Sequence, residues 1–241
     1  MRRLQPNLPG SVKHRFLNAL NHFERAEKIF EVDREMASFR SITGEEEAAT
    51  ALMKAIQLRG YENAKKFKPY NHVHKAGVIA CVVAIGLTLQ PMLEEFQLTF
   101  DFEKKRADVR IPLSNLGVAG GEKMVLQPEE PLSLIHSRPG IPEERLFSDA
   151  LSKLAEKGSF DDIKKFVSHR ANDRNTLLYA SDAKLPVSQA TLDTLRNRKG
   201  RALLLLTLTV MVLQSSKQQG MVRQATFAFL EVISKLPPDG N

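Results

Sequence analysis

The chain has 241 residues, 42% apolar and 26% charged, which is the balance of a soluble globular protein and enough length to bury a core. Its single cysteine excludes a disulfide framework within the chain and any Cys-rich zinc site, and it fits a reducing, cytoplasmic setting. A net charge of +7 and a pI near 9.5 favour polyanions as partners, either nucleic acid or an acidic membrane face, and carry no information about fold.

The N-terminus, MRRLQPNLPGSVKHRF, is basic but has no apolar stretch of the kind a secretory signal needs. Residues 11–40 then read as one long helix. Ser11 is the expected N-cap, Phe16, Leu20, Phe23, Ile29 and Phe30 recur at or beside helical spacings, and Arg15, Asn18, Glu24, Lys28 and Glu31 take the opposite face. Ser41 to Gly44 is expected to interrupt it. Thr43 and Glu46 form a capping-box pattern, which predicts a second helix running to about Arg59 with Gly60 as its stop. After the basic loop KKFKPYN, Asn71 is the expected cap of an apolar third helix at 72–89 that Pro91 closes.

The period then changes. In FQLTFDFEKK, Leu98, Phe100 and Phe102 alternate with polar residues, and Val109, Ile111 and Leu113 do so after the KKRAD turn, which is a hairpin pattern. Shorter strand candidates follow at 124–127 and 132–137, so residues 96–140 read as a small antiparallel β insertion. Helical spacing resumes at Pro142, with Leu146, Ala150, Leu151 and Leu154 in one helix and Phe160, Ile163, Phe166 and Val167 in another. Helices at 187–198, 201–216 and 219–236 complete the chain. The expected fold is mainly α: a helical bundle forming one domain over 1–241, with the β insertion inside it.

Two apolar runs bear on membranes. Ala76–Leu93 holds no charge for 18 residues, but Gly77, Gly86, Gln90 and Pro91 break it; Ala202–Leu213 is only 12 long. A spanning helix takes about 20 apolar residues. Both are expected to be buried core helices, with no integral membrane insertion and with Cys81 as a small core residue.

Few patterns carry chemistry. VAGGEK at 118–123 is too short for a phosphate loop and reads as a turn. His72 and His74 would stand about 200° apart on a helix and so cannot share a metal by spacing. The pattern calls for no metal and no cofactor. Glu45, Glu46 and Glu47 suit the first turn of a helix, where acids complement the dipole. His74 and Lys75 open the third helix, where cations oppose the dipole; that favours a partner such as one of those glutamates. RNRKGR puts Arg196, Arg198, Lys199 and Arg201 in six residues. With KKFK, KKR and KK elsewhere it is a candidate phosphate-tracking surface, against the alternative of solvated cations on separate faces. Few aromatics are interleaved, so base stacking is not suggested.

The stretch DRNTLLYASD at 173–182 is the candidate for catalysis. Metal-independent RNA cleavage needs a cation on the scissile phosphate and a group that moves protons. Arg174 suits the first role, because a guanidinium is planar and always charged. Tyr179, with a phenol pKa of about 10, is a poor base at neutral pH but a usable hydrogen-bond donor or acid. On a helix the two would lie about 140° apart, flanking a cleft rather than stacking. An ordinary arginine ion pair and a half-buried tyrosine hydroxyl are the alternative.

The succession GEEEAATAL, then HVHK, then R-N-x-x-x-Y running into YASD and a proline resembles the HEPN superfamily, and within it the AbiV-like phage abortive-infection branch. The likeness is scattered over roughly residues 35–80 and 165–215. It implies a helical bundle that dimerises, associated with RNA cleavage, nucleotide binding or antiviral defence. Arg174 and Asn175 match the superfamily's arginine–polar pair, whereas Tyr179 stands where a histidine is usual, and the β insertion lies outside the minimal pattern. Arg15 and His22 also match the loose arginine–histidine spacing. The expected function is therefore a cytoplasmic, dimeric HEPN-like protein that binds or cleaves RNA in antiviral defence or a toxin system. Arg174, Asn175 and Tyr179 are its candidate catalytic group, Glu46, His74 and Lys75 support it, and Arg196, Arg198, Lys199 and Arg201 are candidates for holding RNA. The alternative is a non-catalytic scaffold that binds a protein partner through the same helical surface, and a third is a peripheral membrane protein that uses its basic patches.

Overall fold

The computed structural model describes residues 1–5, 7–93, 96–112, 124–133, 140–142, 147, 151, 156, 163–179 and 188–234. They form a mainly helical bundle with a small antiparallel sheet, as the periodicities predict. The helices are α1 (Gly10–Ile29), α2 (Arg34–Leu58), α3 (His72–Leu93), α4 (Ile163–Thr176), α5 (Leu192–Gln214) and α6 (Gly220–Ser234). The strands are β1 (Gln97–Asp101), β2 (Arg106–Pro112) and β3 (Val125–Leu126), and all three fall within the expected insertion.

The first helix breaks at 30–33, not at 41–44. Asp33 adopts an extended conformation and its carboxylate accepts the Met36 amide at 2.8 Å, so it caps a new helix. Ser41 to Gly44 lie inside α2. The Thr43 hydroxyl donates to the Phe39 carbonyl at 2.9 Å and Ser41 to Ser38 at 2.7 Å, which engages both hydroxyls within the helix. Gly44 is a contact point rather than a break: a Cβ there would lie 2.7 Å from Phe23 Cε2 and 3.2 Å from the Ala19 carbonyl of α1. With the start of α2 moved upstream, Glu46 is not in a capping box. At the head of α1 the cap position is Pro9, without a side-chain bond, rather than Ser11.

Two further expected interruptions are continuous helix. α3 extends two residues past Pro91. α5 begins from a capping box between Thr191 and Thr194 and passes through Gly200. A mid-helix glycine costs about 1 kcal/mol. Burial of Leu195, Ala202 and Leu205 on either side of it outweighs that cost. Other local expectations hold. Gly60 has φ +67° and ends α2, and the Asn71 carboxamide accepts the His74 amide at 3.0 Å at the head of α3.

α2 is the central element and packs against α1, α3, α4 and α5. Its small residues, Ala48, Ala49, Ala51 and Ala55, are fully buried and allow close approach on several sides. The His72–Leu89 stretch of α3 is the one helix among the described residues long and apolar enough to cross a membrane. Half of it is buried in the bundle, against α2, α4 and α6. The apolar run of α5 is likewise core, with Leu205, Leu206, Val210 and Met211 buried.

The hairpin pairs Leu98 with Val109 and Phe100 with Ala107, and β3 joins β2 at Ile111 and Pro112. Asp101 Oδ1 accepts the Glu103 and Lys104 amides in the turn, and Lys105 takes φ +56°. Two glutamines fasten the insertion to the bundle. The Gln214 carboxamide accepts the Ala107 N–H at 3.0 Å and donates to the Ala107 carbonyl at 2.8 Å. Gln219, fully buried, accepts the Leu132 N–H at 2.8 Å, donates to the Met211 carbonyl at 3.0 Å, and its own N–H donates to the Tyr61 hydroxyl at 2.8 Å. The expected strand at 132–137 lies largely outside the described residues, as do Leu113, VAGGEK and most of the helix after Pro142.

The α1–α2 contact at Gly44 gives a direct test. Gly44→Val should lower stability by about 1–3 kcal/mol through overpacking against Phe23 and Ala19. The drop would be read as a lower urea midpoint with an unchanged slope.

Candidate functional site

Successive residues of an α-helix turn by about 100°. Three consecutive glutamates on a central helix therefore face three different directions, and each meets its own cations. Glu45 is 1% exposed and faces α4 and α5. Arg198 Nη1 lies 3.2 Å and Arg170 Nη2 3.6 Å from its Oε2, and Arg201 Nε donates to Oε1. Glu46 faces α3. His72 Nδ1 lies 2.9 and 3.0 Å from its two oxygens, and Lys75 Nζ lies 3.6 Å from Oε2. A carboxylate can only accept, so His72 Nδ1 carries the proton. Glu47 faces α1, where Arg15 Nη1 donates at 3.0 and 3.1 Å. The acids read as first-turn dipole partners are instead mid-helix charges that tie α2 to four neighbours.

The supporting group is gathered in part. Glu46 and Lys75 pair as expected, but the imidazole on Glu46 is that of His72. His74 turns inward: it is 6% exposed, its Nδ1 accepts the Lys68 N–H at 3.2 Å, and its ring lies 5.7 Å from Phe229. His72 and His74 thus face different directions, and no cluster of metal-ligating side chains occurs among the described residues.

The RNRKGR run divides between faces. Arg198 and Arg201 point inward to Glu45. Lys199 reaches Glu27 of α1 at 2.6 Å, and Arg196, largely exposed, pairs with Asp193 at 3.2 Å. These four side chains do not form one stripe. Arg170, not singled out by the sequence, joins them at Glu45. Its only prior sign is its place one helical turn before Arg174.

Arg174 and Asn175 lie in the last turn of α4, and their side chains are outside the described residues. Tyr179 follows three residues past the helix end and is 69% exposed, so the angle expected on a continuous helix does not apply. Its ring is not half-buried; it is open to solvent.

Two other titratable groups stand apart. Burial pushes the Cys81 thiol up to about 12, which removes it as a nucleophile. His22 on α1 is shifted below the ordinary imidazole value of 6.5, first by burial and then by the Arg40 charge, and its buried Nδ1 has no hydrogen-bond partner among the described residues. Arg15, its partner in the loose arginine–histidine spacing, is held by Glu47.

No family model, no curated protein and no solved structure matches this chain.

Two outcomes follow from these charges. Glu45→Gln strips the counter-charge from three arginines and should cost about 3–5 kcal/mol in urea unfolding, the penalty of breaking a buried ion pair. His22 is held neutral by folding, so proton uptake favours the unfolded chain. Its contribution is complete above pH 6.5 and is lost as pH falls through its lower folded value. Urea midpoints measured across that range should therefore drop toward acid, and less steeply in His22→Gln.

Proposed function

We propose that this is a cytoplasmic HEPN-like helical protein that binds or cleaves RNA, as a homodimer, in antiviral defence or a toxin system. One observation supports the reading above others. The glutamate-rich and HVHK segments lie apart in the chain yet meet on α2, and the helix that bears Arg174 reaches the same glutamates through Arg170. The glutamate run takes His72 and Lys75 of the HVHK segment on one side, and on another it takes Arg170 of the helix that bears Arg174 and Asn175.

In this reading the Arg174 guanidinium holds the non-bridging oxygens of the scissile phosphate, and Asn175 orients the strand. The RNA 2′-oxygen attacks phosphorus, the bond to the 5′-oxygen breaks, and the leaving oxygen takes a proton. The Tyr179 phenol, exposed at the edge of the bundle, suits that donation better than it suits removal of the 2′-proton. A second protomer supplies the proton acceptor. Arg196, exposed on α5, is the member of its run best placed to meet a backbone phosphate.

A second reading has its own support. Leu98, Phe102, Met124, Val125 and Leu126 of the β insertion are each more than 40% exposed, apolar side chains that a protein partner of a non-catalytic scaffold could cover. Salt separates the two: RNA binding weakens steeply as salt rises, and apolar docking does not.

Cleavage of labelled total RNA by purified protein in EDTA should be present for the wild type and lost in Arg174→Ala, with circular dichroism confirming that both are folded. Absence of cleavage in both proteins would remove the nuclease reading and leave the scaffold.

A further inference from the structure

The loop that joins α2 to α3 alternates in burial. Phe67 and Pro69 point inward, with the Phe67 ring 4.8 Å from Phe229, while Lys65, Lys66, Lys68 and Tyr70 face solvent. Tyr70 is 70% exposed. Lys54 Nζ of α2 lies 5.4 Å and the Arg15 guanidinium of α1 5.8 Å from the centre of its ring. These groups line a groove with Ser11, His14 and Asn18 of α1. No carboxylate lines it among the described residues. Arg15 is held in place by Glu47, and no carboxylate pairs with Lys54 or His14 among the described residues. An exposed ring with two cations close over it, one of them held by Glu47 and the other without a carboxylate partner among the described residues, and with hydroxyl and carboxamide groups around it, offers aromatic surface to a base and donors to phosphate.

We infer that this groove binds single-stranded RNA, with a base stacked on Tyr70 and the backbone phosphates met by Lys54, Arg15 and His14. The inference rests on the RNA reading above and adds to it a surface separate from Arg174. The sequence argued against stacking because aromatics are few. One tyrosine is enough when the fold turns the neighbouring phenylalanine inward. A duplex conceals its base faces and cannot use the ring, so the preference is for single strands. An acidic peptide would satisfy the cations but would leave the ring uncovered.

The test is fluorescence anisotropy of the full-length protein with a labelled, 2′-O-methylated single strand about 10 nucleotides long, which spans a typical binding site and resists cleavage. Tyr70→Ala should weaken binding at least about fivefold, the low end for losing one stacked base, while Tyr70→Phe binds as the wild type does. Lys54→Gln should weaken it and reduce the slope of log affinity against log salt by about 0.7. The same sequence as a duplex should bind less tightly, and adenosine monophosphate should not displace the strand at comparable concentration. Wild-type binding unchanged by Tyr70→Ala, or a duplex bound equally well, would overturn the groove and leave the RNA reading standing. Displacement by the mononucleotide would make this a nucleotide pocket and overturn the strand. If the wild type ignores RNA and takes labelled polyglutamate instead, both readings fall together.

Discussion

A carboxylate placed inside a protein must be paired there, because the cost of removing it from water is several kcal/mol. Glu45 and Glu46 impose that condition side by side on the helix that four others touch. The answer to each comes from a different direction, from α4 and α5 for the first and from α3 for the second, and Glu47 at the next position takes α1. Apolar packing alone would let these helices slide or rotate at small cost. Bidirectional ion pairs on consecutive residues fix the rotation of α2 about its own axis, since a turn that improved one pair would break the next.

How much of this is legible in the sequence depends on the range of the interaction. The helices and the hairpin follow from local periodicity, and Gly60 and Asn71 act where turn chemistry places them. Local punctuation misleads where a distant partner decides its meaning. Gly44 looks like an interruption until Phe23 of α1 is brought against it, and Gly200 looks like a boundary until the residues around it are buried. Which of two histidines meets Glu46 is a matter of helix rotation, and rotation is set by the whole bundle. Lys75 could be expected to find a glutamate; His72 could not be told from His74. Arg170 and the two fastening glutamines had no period to reveal them.

The candidate site shares this division. Residue types were legible: an arginine–asparagine pair, a tyrosine four residues beyond it and a run of cations. Their disposition was not. The cation run divides because α5 shows one face to Glu45 and another to water, so half of an apparent nucleic-acid patch is internal structure. A partly exposed cation stands elsewhere, at Lys54 of α2, which lies beside the ring of Tyr70. Net charge is a property of the sequence, whereas an electrostatic surface is a property of the fold.

The Gln214 carboxamide presents Ala107 with one acceptor and one donor, the same pair that a neighbouring strand would offer. Among the described residues, β2 has β1 along one side and β3 only at its far end, so no strand pairs with its other side at Ala107. An open edge is a template on which chains aggregate. By lending a side chain as a one-residue strand, the end of α5 occupies that template at Ala107.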